Sequence, residues 1–123
     1  MTDSLWPDDI IGQIRKTPIS LMKEQAAALG EKTHQLITGT ITSNSNADQF
    51  YHTLLLSVPA LNNYRYELFH IQHDITLYPV MATWKNSVAR LMDEAQFMDY
   101  MRKVFADTTT RNIITSLYSQ VQK

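Results

Sequence analysis

Hydrophobic positions along this chain change their period twice. Over residues 17–33, Ile19, Met22, Ala26 and Leu29 recur at spacings of three and four. That spacing puts them on one stripe of a helix. Thr17 suits the N-cap and Pro18 the first helical position, while Gly30 marks the end region. Ile10, Ile11 and Ile14 make a shorter stripe before it. Pro7, Asp8 and Asp9 open that stripe and Arg15 and Lys16 close it, as the helix dipole favours. A short N-terminal helical arm is therefore predicted over 1–16.

From Leu36 the period becomes two. "LITGTITS" is rich in β-branched residues and reads as a strand. "NSNAD" reads as a turn, and "QFYHTLLLSV" as a second strand. On that strand Phe50, Leu54, Leu56 and Val58 alternate with Tyr51, Thr53, Leu55 and Ser57. "YRYELFHIQH" and "TLYPVMA" give a third and a fourth strand, and Pro79 places the fourth at an edge. Short links favour antiparallel neighbours.

Beyond Trp84 the helical period returns. Phe97, Met101, Val104 and Phe105 form one stripe. Its start is open between Asn86, since Val88, Leu91, Ala95 and Met98 extend it backwards, and Asp93, which with Gln96 resembles a capping box. "ADTTTRN" reads as a turn with a threonine N-cap. Ile113, Ile114, Leu117 and Val121 make the last apolar face. The predicted fold is one α+β domain over 1–123: a four-stranded antiparallel β-meander over 34–84, N-terminal helices, and a C-terminal helical hairpin over 86–122, in the order ααββββαα.

Composition narrows the function mainly by exclusion. The chain is 44% hydrophobic and 19% charged, a globular balance. Lys plus Arg is 11 and Asp plus Glu is 12, for a net charge of −1. Nucleic acid and anionic membranes need a basic field, so neither is the expected partner. With no cysteine there is no disulfide, thiol nucleophile or thiolate metal site. No apolar run is long enough for a membrane span, and the acidic start does not resemble a secretion signal, so a cytoplasmic location is the expectation.

The stretch "YRYELFHIQHDITLYPVM" holds the most chemistry. On a strand, His70 and His73 point to opposite faces, which weakens a metal site. His52 and His70 facing one another across strands would supply two ligands, too few for a catalytic metal. No nucleophile elbow, phosphate-binding glycine loop or zinc-helix motif occurs. No cofactor is expected. Glu67 with His70, or Tyr66 with His52, are pairs that a sheet of this composition brings together by chance.

What remains is a surface. Both sides of the second and third strands carry large groups, and the narrow stripe of the N-terminal helix cannot hide a four-stranded face about 20 Å wide. Tyr51, Leu55, Tyr64, Arg65, Tyr66 and Leu68 are the predicted interface. The expected function is non-catalytic binding of another protein, as an adaptor, inhibitor, chaperone or immunity-type factor, or of a second copy of this chain. The alternative is a ligand-binding or enzymatic pocket between sheet and helices, lined by Tyr51, His52, Tyr66 and His70.

Overall fold

The computed structural model describes residues 3–12 and 14–122. The elements are α1 (Pro18–Lys32), β1 (Thr38–Asn46), β2 (Gln49–Val58), a single 3₁₀ turn (Pro59–Leu61), β3 (Tyr64–Asp74), β4 (Val80–Trp84), β5 (Ser87–Leu91), α2 (Glu94–Ala106) and α3 (Thr108–Val121). The strands form one antiparallel sheet in chain order, β1-β2-β3-β4-β5. The fold class is the expected α+β meander, with five strands in place of four. None of the helices among the described residues is long and apolar enough to cross a membrane.

The fifth strand lies where the start of the C-terminal helix was ambiguous. Trp84 and Ser87 pair across a two-residue turn in which Lys85 and Asn86 both have positive φ, 52° and 63°. A tight hairpin turn of this hand requires that backbone, and asparagine tolerates it well. Helix α2 then starts at the later of the two candidate positions. Asp93 is its N-cap and accepts from the Gln96 amide at 2.9 Å. The Gln96 side chain reaches back one residue further than expected and accepts from Met92 N at 2.8 Å.

Four other expectations are corrected. The helical arm expected over 1–16 does not form among the described residues, which before Pro18 make neither helix nor strand; Met1, Thr2 and Gln13 lie outside them. A three-isoleucine stripe with nothing to pack on does not stabilise an isolated turn or two of helix. Pro79 precedes β4 rather than lying within it, so β4 is interior and β5 is the edge. The C-terminal pair is not a hairpin. A single residue, Asp107, is both the C-cap of α2 and the N-cap of α3, accepting from the Thr109 amide at 3.0 Å. One residue is too short a link to lay two helices side by side, so α3 leaves α2 at a corner. Asp107, not a threonine, is the cap.

The helices gather on one face of the sheet. Met22 from α1, Phe97, Met101 and Val104 from α2 and Leu117 from α3 are buried there with Leu54, Leu56, Val58, Phe69 and Ile71. Thr17 caps α1, accepting from Ser20 N at 3.1 Å, and Pro18 follows it as expected. Helix and sheet approach closely at Gly39 on β1. A Cβ built there would lie 2.5 Å from Ala26 Cβ and 2.7 Å from Ala26 Cα. Backbone cannot yield as a flexible side chain would, so α1 seats on β1 only because residue 39 has no side chain. Gly39→Ala is expected to destabilise the protein by about 1–3 kcal/mol, the cost of an overpacked core. Urea unfolding checks this; an unchanged midpoint would mean that α1 does not sit against β1 as described.

Candidate binding surface

Side-chain direction in β3 is set by one irregularity. Leu54 of β2 is opposite Phe69, but Leu55 is opposite Glu67, so Leu68 is the extra residue of a β-bulge. From Phe69 onward the alternation is as expected, with Phe69, Ile71 and His73 toward the helices. Before the bulge it is inverted. Tyr66 is opposite the buried Leu56 and Tyr64 opposite the buried Val58, so both tyrosines lie on the helix face. Arg65 and Glu67, opposite Ser57 and Leu55, lie on the outer face.

The six predicted interface residues are therefore split. Tyr51, Leu55 and Arg65 are on the outer face; Tyr64 and Tyr66 are on the helix face, and Leu68 is buried at the bulge. The single surface expected from regular alternation does not exist. The outer face has no helix over it, but it is mostly Thr38, Thr40, Thr42, Asn44, Thr53 and Ser57 around Tyr51 and Leu55. It is a solvated sheet face of ordinary composition, which is why one face can stay open.

The four residues of the alternative pocket also fail to converge. His70, opposite Thr53, and Tyr51, opposite Gln72, are on the outer face; His52 and Tyr66 are on the helix face. His70 is 3.4 Å from the Glu67 carboxylate, an exposed contact that exists because the bulge puts residues three apart on one side. Such a pair contributes little in water. His52 faces His73 and not His70: the rings lie 5.3 Å apart, His73 stacks on Phe50 at 5.5 Å, and both histidines are buried. Ser43 Oγ is 2.7 Å from His52 Nδ1, and His73 Nδ1 donates to the Asp74 carbonyl at 2.7 Å. Among the described residues no three His, Asp or Glu side chains gather as metal ligands would.

Burial holds the His52 pKa below its ordinary 6.5, with smaller contributions from His73 and Lys23. The native state thus takes up this proton less readily than the unfolded chain. Its contribution to stability is complete above 6.5 and is lost as pH falls through and below that value. Urea midpoints are expected to drop between neutral pH and about pH 5.5. His52→Gln, which keeps a polar partner for Ser43 but cannot titrate in this range, is expected to flatten that drop. An equal drop in both proteins would show that His52 is not the group responsible.

The feature that sequence reasoning missed is an edge. β4 pairs with β3 only at His70, Ile71 and Gln72. Over Tyr64–Leu68, β3 has β2 on one side and, among the described residues, no strand on the other. The sheet is five strands wide at one end and three at the other. Two hollows border this free edge. A groove of about 650 Å³ separates Tyr64 and Tyr66 from Asn112, Ile113, Ser116 and Gln120 of α3. A smaller one, about 210 Å³, lies between Tyr66, Glu67 and His70 and the Trp84–Asn86 turn. Lys85 fixes the far wall: its Nζ donates to Asp107 Oδ2 and Thr109 Oγ1, both at 2.9 Å, tying the β4–β5 turn to the α2–α3 corner. That hydrogen bond holds the Asp107 carboxyl below its ordinary pKa. The only sequence signal for the edge was the brevity of "VMATW" beside an eleven-residue β3. No known protein family, curated protein or solved structure matches this chain.

Proposed function

We propose that this protein is a non-catalytic binding module that takes an extended segment of another protein along the free edge of β3. The observation that carries the reading is that Tyr64–Leu68 is bordered by a strand on one side only and by an open groove on the other. An unpaired edge offers backbone donors and acceptors to an incoming strand, and pockets beside it select the alternate side chains. Here Tyr64, Tyr66 and Leu61 supply apolar surface and Asn112, Ser116 and Gln120 supply neutral polar groups across the groove. Tyr64, at 45% exposed, is the large aromatic most open to a partner there. Four of the six interface residues expected from sequence, Tyr64, Arg65, Tyr66 and Leu68, belong to this edge. The distribution of Tyr51, His52, Tyr66 and His70 over two faces favours binding over catalysis at the pocket they were expected to form.

Photo-crosslinking in the producing cell tests this. A photoreactive residue is placed at Tyr64, and as a control at Val88, on β5 and the outer face. A discrete covalent adduct is expected from position 64 and not from position 88, and Gln120→Arg, which fills the groove from α3, is expected to remove it. Adducts from 88 alone would move the site to the open sheet face. Adducts of equal intensity from both would contradict a dedicated edge site.

A further inference from the structure

The segment before α1 is the least accommodated part of the molecule. Leu5 is 97% exposed, Ile14 84%, Ile11 75% and Trp6 72%, and Ile10 is also exposed. Scattered exposed apolar residues are normal, but five large ones within ten positions are a contiguous apolar strip. The strip is acidic as well: Asp3, Asp8 and Asp9 precede its first cation, Arg15.

On the helix side of the sheet lies a surface with the opposite character. Between α1 and the α2–α3 corner runs a trough of about 420 Å³, with Leu54, Leu56 and Leu68 as its floor and Leu29, Phe105 and Ile114 as its walls. It continues into a second hollow of about 350 Å³, which shares Phe105 and Gln25 and adds Met98 and Met101. Each hollow has one charged lining residue, Lys32 in the first and Arg102 in the second. Arg102 is paired with Asp99 at 3.3 Å, an exposed and weak pair from which the guanidinium is free to turn to an incoming carboxylate. The trough is thus mainly apolar, with Gln25 and Thr33 as its uncharged polar lining and only cations among its charged lining, and the strip is apolar with only anions before Arg15.

We infer that the segment Leu5–Ile14 of one copy lies in the α1/α2–α3 trough of a second copy, and that the exchange is mutual. The carboxylates of Asp8 and Asp9 would sit by Lys32 and Arg102 at the rim, with the apolar groups inside. The trough's own segment is not its occupant. It leaves at the other end of α1, where the Arg15 guanidinium lies over the Tyr78 ring at 5.9 Å and Lys16 pairs with Glu24. A tethered segment enjoys a high effective concentration, yet these side chains stand in solvent in the single chain. Mutual exchange closes a two-fold dimer in which each strip and each trough is used once. Burying five such side chains in both directions removes on the order of 1,200 Å² or more, within the range of specific interfaces. This pairing meets the β3 edge only at the buried Leu68 and leaves Tyr64–Glu67 free for a partner.

The test uses the full chain carrying Trp84→Phe, so that Trp6 is the sole tryptophan. Sedimentation velocity and tryptophan emission are followed over a micromolar-to-millimolar dilution series. A monomer–dimer equilibrium is expected, with Trp6 emission shifting to the blue in step with dimer formation. Lys32→Glu with Arg102→Glu, both on the exposed surface, is expected to weaken dimerisation by roughly tenfold or more. Adding Asp8→Lys and Asp9→Lys to that variant is expected to restore it. A chain that stays monomeric with Trp6 in water at every concentration would overturn the inference. So would blue-shifted emission independent of concentration, which means the segment fills its own trough. A dimer indifferent to the charge reversal would place the contact elsewhere.

Discussion

One extra residue in β3 decides which side chains this protein shows and which it hides. Leu68 interrupts the alternation, so the first half of the strand presents the opposite face from the second. Without the bulge Arg65 and Glu67 would point among the helices, and two unpaired charges would be buried at considerable cost. With it, Tyr64 and Tyr66 face the helices and the charged pair faces water. The bulge also adds twist, and β4 runs beside β3 only from His70 on. The inverted tyrosines, the unpaired edge and the groove against α3 all lie on the same side of this irregularity.

The helices follow from the same division. α1 and α2 have broad flat sheet beneath them, α1 seated on β1 by the missing side chain of Gly39 and α2 buried through Phe97, Met101 and Val104. α3 covers the narrow end. Only Thr110 and Leu117 of α3 are fully buried, and open hollows border it on either side. Leu117, with Ile113, Ile114, Tyr118 and Val121 packed around it, seats α3 on the core, and the Asp107 cap and the Lys85 hydrogen bonds fix its start. A protein that used its whole sheet to build a core would have no such grooves. Here part of the apolar surface lines those grooves instead.

Much of the architecture was legible from residue patterns. The cap at Thr17 is local chemistry and formed as read, and of the two starts left open for α2 the Asp93 cap is the one that formed. The alternation in β2 put Leu54, Leu56 and Val58 on one shared face, and that face is the one the helices bury. Errors arose where two periods fit one segment. Val88, Leu91, Ala95 and Met98 sit at helical spacing, yet Ala89 and Leu91 also alternate as a strand, and the positive-φ pair Lys85–Asn86 decided for the strand. The early isoleucines had a helical stripe but no surface to bury it against, and a stripe alone does not make a helix. The interface was split because a bulge leaves no mark in the pattern of apolar and polar residues. It shows only when β2 and β3 are paired, and it shifted Tyr64 and Tyr66 to the other side of the sheet.

The β3 strand is paired on both sides over His70–Gln72 and on one side only over Tyr64–Leu68. Amide hydrogen exchange of the isolated protein, read residue by residue, addresses this directly. At His70–Gln72 the amides should be protected without exception, because neighbours flank both edges. Over Tyr64–Leu68 slow and fast amides should be interspersed, the slow ones bonded to β2 and the fast ones open to water. Uniform strong protection from Tyr64 through Gln72 would mean that the edge is already occupied, and the proposed binding site would not exist.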